Sequence, residues 1–100
     1  NERAIEFSRA SPYSEAQKIA QKTAYKLDYA ITQENTTLEL EFAPQLEENY
    51  KITVMSGQVI VNFEAGGSSF PTRYNGESIN LETSEDYVLG YSQGEMNVRK

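Results

Sequence analysis

Apolar residues recur with a helical period in one stretch of the chain, Pro12–Ile31, and with the period of a strand in most of the residues C-terminal to it. With Ala16 at zero on a wheel of ~100° per residue, Ala16, Ile19, Ala20, Thr23, Ala24, Leu27, Ala30 and Ile31 fall within an arc of roughly 140°, the width of a core-facing stripe. Glu15, Gln17, Lys18, Gln21, Lys22, Tyr25, Lys26, Asp28 and Tyr29 lie outside that arc. The stripe is mostly alanine, which favours helix and lets a partner surface come close. So narrow a stripe cannot make a core alone and requires a sheet face. Ser11-Pro12 reads as a start signal, because serine caps free amides and proline suits the first helical position. A kink at Pro12 within a longer helix is the competing reading. Asn1–Ala10 carries Ile5 and Phe7 among charges and supports no assignment.

After the helix ends in Thr32–Asn35, alternation takes over. In Thr36–Phe42, Leu38, Leu40 and Phe42 alternate with Glu39 and Glu41, the pattern of a strand with one wet face that Pro44 stops. Tyr50–Phe63 reads as a hairpin turning at Met55-Ser56-Gly57-Gln58, where glycine supplies the positive φ that a tight turn needs. Ala65–Ser69 reads as a flexible loop. Phe70–Tyr74 reads as a short edge strand because of Pro71, with Asn75-Gly76 as a type I′ turn signal and Ser78–Glu82 as the return strand. Thr83–Asp86 is a polar turn. Tyr87–Tyr91 is a strand with Gly90 as a candidate bulge, Ser92–Gly94 turns, and Met96–Arg99 is a last strand. Short connections favour antiparallel neighbours. The prediction is therefore a single α+β domain over 1–100: a helix at about 12–31 packed on an antiparallel β-meander at about 36–99.

Charge is uneven. The net charge is −6, yet residues 1–31 carry five basic and four acidic groups, a net of +1, and residues 32–100 carry four basic and eleven acidic groups, a net of −7. So acidic a sheet region is a poor partner for nucleic acid phosphates. The chain has no cysteine, so no disulfide or thiol chemistry, and no histidine, the commonest general base and transition-metal ligand. No apolar run approaches the ~20 residues that span a bilayer. The first residue is Asn1, not Met, from which we expect a processed or removed upstream piece, such as a signal or an anchor.

Sites for chemistry are few. Gly66-Gly67-Ser68-Ser69 lacks the lysine and the following helix of a phosphate loop. Glu82, Glu85 and Asp86 share one turn and Glu47-Glu48 another, but neither has EF-hand spacing, so solvated turn charges are expected there. Glu39 and Glu41 share one strand face, about 7 Å apart by strand rise, as a glycosidase pair would; such a pair needs a cleft that a small sheet does not offer. No nucleophile elbow is present, and serine has no histidine to activate it. No catalytic residue, cofactor or metal site is expected. Asn35-Thr36-Thr37 is an N-x-T sequon, which in a secreted protein would make Asn35 an N-glycosylation acceptor. On the outer helix face Tyr25 and Tyr29 stand one turn apart beside Lys18 and Lys22, either as amphipathic cover on a wet surface or as a contact surface, tyrosine being enriched at interfaces.

The Ala-rich helix (AQKIAQKTAYKLDYAI), the strand ending in proline (LELEFAP), the acidic connector, the tyrosine-led strand (YKITV), the turn (MSGQ) and the β-branched return (VIVNF) together resemble archaeal type IV pilin-like proteins and similar secreted proteins with class III signal peptides. The similarity covers mainly residues 16–63. It implies a structural or adhesive, non-catalytic head at the cell surface or in a filament, held by an upstream hydrophobic segment. Its partners would be other copies of itself or other surface subunits, met through the helix, and its only link to a membrane would be that segment. The alternative is a small extracellular binding module of a membrane-anchored envelope protein; a small hydrolase using Glu39 and Glu41 ranks third. Loops Ala65–Ser69 and Thr83–Asp86 join Tyr25 and Tyr29 as expected contact points.

Overall fold

The computed structural model describes residues 12–42, 49–64 and 66–100. Helix α1 runs Pro12–Thr32 and is followed by β1 Thr37–Leu40, β2 Lys51–Met55, β3 Gln58–Phe63, β4 Gly66–Pro71, β5 Ile79–Glu82, β6 Tyr87–Ser92 and β7 Glu95–Arg99. The strands form two antiparallel sheets, one in the order β1-β6-β7 and one in the order β4-β3-β2-β5. The α+β class and the helix laid on antiparallel strands are as the periodicity predicts.

The buried face of α1 consists of Ala16, Ile19, Ala20, Thr23, Ala24, Leu27 and Ala30, with Ile31 half-buried at its end. Five of these are alanine or threonine, so the helix axis approaches the sheet closely. The sheet answers with rows set by register. Ser68, Val61, Ile52 and Leu81 stand side by side across the four strands, and Phe70, Val59, Val54 and Ile79 form the next row. The helix lies chiefly over β4 and β3, and also touches β6 and β1. It thereby joins the two sheets, and Leu40 and Leu89 of the three-stranded sheet enter the same core. Tyr50 closes one end of that core against Phe63, edge to face at 5.6 Å.

Two hairpins turn on adjacent residues with positive φ, Ser56-Gly57 (52° and 75°) and Gln93-Gly94 (51° and 79°). That is the type I′ geometry, whose twist matches the strands it joins. The helix ends as the Gln33 amide donates to the Tyr29 carbonyl at 2.8 Å, and Asn35 then adopts a left-handed φ of 69°, a conformation asparagine tolerates.

Several sequence expectations are corrected. The expected loop at Ala65–Ser69 is, over Gly66–Ser69, the first part of β4, paired with β3 from Phe63↔Gly66 to Gln58↔Pro71; Ala65 lies outside the described residues. Glycine and serine give no alternating pattern, yet both fit their places: a Cβ on Gly67 would lie 2.8 Å from the Val61 carbonyl oxygen of the neighbouring strand β3, and the Ser68 hydroxyl donates to Gln17 Oε1 of the helix. Asn75-Gly76 is not a hairpin turn. β4 and β5 are opposite edges of one sheet, so the chain between them crosses the ends of β3 and β2, and neither residue has positive φ. β5 pairs instead with β2, Ile52 facing Leu81. The meander thus runs through β2-β3-β4 and breaks there, and the last two strands form a separate sheet with β1. Gly90 is not a bulge: it pairs in regular register with Thr37 on one side and Asn97 on the other. Strand β1 stops at Leu40, short of Phe42. Ser11, Pro44 and Glu47-Glu48 lie outside the described residues.

Candidate functional site

The outer face of α1 carries two parallel ridges one turn in spacing. Lys18, Lys22 and Lys26 form one, and Gln21, Tyr25 and Tyr29 the other, since residues four apart on a helix are neighbours. Tyr25 is 56 % exposed and Tyr29 53 %, the two largest exposures among the bulky apolar side chains described. A shallow groove of about 680 Å³ runs between the ridges and is bordered by Leu38 of β1.

Each side chain is held differently. The Tyr25 ring stands edge-on to Phe70 of β4 at 5.7 Å and 89°, and its hydroxyl accepts a 2.9 Å bond from Gln21 Nε2. One edge of Tyr25 is therefore fixed by the sheet and the other faces outward. The Lys22 ammonium donates to the Glu41 carbonyl oxygen and lies 5.9 Å from the centre of the Phe42 ring. It serves to tie the helix to the end of β1, a role its spacing does not reveal. Lys18 is exposed, while Lys26 is half-exposed. The four residues singled out from the wheel, Tyr25, Tyr29, Lys18 and Lys22, do share one surface. Gln21 and Lys26 complete its ridges and were legible as their i±4 neighbours; Leu38 and Phe70 come from strands, and nothing in the helix signals them.

The other sequence candidates are dispersed. Asn35 is exposed; its amide donates to the Tyr91 carbonyl oxygen at 2.8 Å, and it borders a second hollow of about 430 Å³ on the β1-β6-β7 sheet. Glu39 lies on the exposed face of β1 beside Val88, and Glu41 is exposed beyond the strand end. In the turn after β5, Asp86 accepts a 3.4 Å bond from the Phe42 amide and Glu85 lies 3.9 Å from Lys100. The Thr83 hydroxyl accepts from the Tyr50 amide at 3.1 Å. Thr83–Asp86 therefore serves to fasten β5 to the ends of β1 and β2. Among the described residues no group of three carboxylates is placed to hold a metal ion, and no helix is long and apolar enough to cross a membrane.

A third hollow, of about 570 Å³, separates Tyr74 and Ile79 from Met96 and Val98 of β7. Tyr74 is buried and donates its hydroxyl proton to the Glu77 carbonyl oxygen at 2.6 Å. Burial, then the nearby Glu77 carboxylate and Tyr91, raise its pKa above the ordinary value of 10.0. Comparison of this chain with protein-family models, with characterised proteins and with solved structures finds no match in any of the three.

Proposed function

We propose that this domain is the non-catalytic head of a pilin-like cell-surface or filament subunit, and that the outer face of α1 is its contact surface. The observation that carries the reading is the exposure of Tyr25 and Tyr29 at 56 % and 53 % beside a row of lysines. Tyrosine and basic side chains together suit an acidic partner surface, and residues 32–100 of this chain carry a net charge of −7. A head-to-tail contact between the basic helix face of one copy and the acidic strand region of the next would be heterologous, the kind that builds filaments when it does not close. The upstream segment of the precursor would supply the anchor.

The variant Tyr25→Ser/Tyr29→Ser tests this directly. It should leave the circular dichroism spectrum and melting temperature close to those of the parent while weakening assembly of the anchored precursor. Unchanged assembly refutes the contact surface. A precursor with no apolar stretch of roughly 18–20 residues refutes the anchored head.

The groove bordered by Leu38 favours a second reading, a binding module on an envelope protein that takes an acidic segment between the two ridges. A precursor that remains monomeric on cells while Tyr25→Ser/Tyr29→Ser loses a bound partner favours this module over the filament head.

A further inference from the structure

The last strand, β7, is an edge of the three-stranded sheet, and no further described strand pairs with its outer side. An open edge of this kind is a template for another strand. Its burial alternates: Glu95, Asn97 and Arg99 are exposed, and Met96 and Val98 are half-buried against the core.

The register of the β6–β7 hairpin fixes which backbone groups point outward. The two-residue turn Gln93-Gly94 closes on Ser92↔Glu95. The pair next to such a turn exchanges both backbone hydrogen bonds, and bonded and non-bonded pairs then alternate. Glu95, Asn97 and Arg99 thus spend their amides and carbonyls on β6. Met96 and Val98 direct theirs to the free edge.

We propose that this edge pairs antiparallel with the same edge of a second copy, centred on Asn97, making one six-stranded sheet across a two-fold axis. In that register Met96 faces Val98 of the second copy, and Val98 faces its Met96. All four outward backbone groups of each strand find partners. Glu95 then stands opposite Arg99 of the second copy, and Arg99 opposite its Glu95, on the exposed face. Opposite charges in that position attract across strands and like charges repel. Within one chain neither group has an ion pair among the described residues; the one ion pair there joins Lys100 and Glu85. The other edges lack this symmetry. β4 ends in Pro71, β5 would set Ile79 against Glu82 about its own midpoint, and β1 has one charge. The interface does not use the helix face and stands or falls apart from the function proposed above.

Sedimentation velocity over a dilution series, at low salt and at high salt, measures it. The parent chain should form a dimer that weakens as salt rises. Glu95→Arg alone and Arg99→Glu alone each set like charges opposite one another twice per dimer, and each should raise the dimer dissociation constant about tenfold or more. An equimolar mixture of the two variants restores both attractions and should recover a heterodimer, and Glu95→Arg/Arg99→Glu on its own should recover a homodimer. Tyr25→Ser/Tyr29→Ser should leave this dimer unchanged. A parent chain that stays monomeric to about millimolar concentration overturns the proposal and leaves the two charges as protection of an open edge. Single variants that dimerise like the parent, or a mixture that recovers nothing, overturn it equally.

Discussion

Asp28 accepts a 2.6 Å hydrogen bond from the Thr72 hydroxyl, and through the same oxygen a 2.8 Å bond from the Arg73 amide. The helix thereby holds the segment that crosses from β4 to β5, the longest described connection between strands. Thr72 in turn donates its amide to the Gly57 carbonyl oxygen at 3.0 Å, so the crossing is pinned to the β2–β3 turn as well. Asp28→Ala should lower stability by about 1.5–3 kcal/mol, the range for losing hydrogen bonds to a charged group. Thr72→Val should cost less, because the Arg73 amide keeps its acceptor. The two changes should be less than additive in a double-mutant cycle read by urea unfolding.

Thr23 points the other way. It is fully buried in the face of α1, and its hydroxyl oxygen has no hydrogen-bond partner. A buried hydroxyl without a partner costs roughly 1–3 kcal/mol. Thr23→Val keeps the volume and removes the polar atom. It should stabilise the domain by about 1 kcal/mol, with a melting temperature about 4–8 °C higher for a chain of this size. A lower melting temperature would mean that the hydroxyl finds an acceptor in solution.

Alkaline pH should find its weak point at Tyr74. The folded state raises the pKa of its hydroxyl, by burial first and then through Glu77 and Tyr91. Below the ordinary tyrosine value of about 10 both folded and unfolded chains keep the proton, and stability does not respond to this group. As pH rises above that value the unfolded chain releases the proton more readily, so the stability due to the neutral hydroxyl is lost. Tyr74→Phe should be less stable than the parent at neutral pH, lacking the bond to the Glu77 carbonyl. The gap between the two should narrow above pH of about 10 in thermal unfolding curves. A gap that widens instead would contradict the assigned direction.

The parts of this fold that the sequence discloses are those carried by side-chain period. The wheel picks out the buried stripe of α1 because Ala16, Ala20, Thr23, Ala24 and Leu27 recur with the turn of a helix, and the β2–β3 hairpin shows because valine and isoleucine alternate about Ser56-Gly57. Strand β4 is silent for the opposite reason: Gly66–Ser69 has little side chain to alternate, and its place is shown only by its backbone pairing with β3 and by the helix that packs on it. Asn75-Gly76 misleads because turn propensity is local, whereas the pairing of β5 with β2 is set by Leu81 and Ile79 extending the rows begun by Ile52 and Val54. At the candidate site the helix wheel places Tyr25, Tyr29, Lys18 and Lys22 together. It does not disclose that Lys22 is bound to the Glu41 carbonyl or that Tyr25 leans on Phe70, since one partner lies just beyond the end of β1 and the other in β4.

The turn that does not form has its own consequence at Gly76. A Cβ there would lie 2.6 Å from the Tyr74 hydroxyl oxygen and 2.9 Å from the ring carbon that bears it. Neither distance is tolerable, and the ring is poorly free to move, being buried and tied through its hydroxyl to Glu77. The backbone at Gly76 has an ordinary φ, so crowding alone decides the outcome. Gly76→Ala should therefore destabilise the domain by about 1–3 kcal/mol, the usual range for overpacking, despite the entropy that alanine removes from the unfolded chain. Removing the hydroxyl removes the closest contact, so Gly76→Ala should cost less in a Tyr74→Phe background than in the parent. Equal costs in the two backgrounds, measured by denaturant unfolding, would show that the ring and the loop do not meet as described.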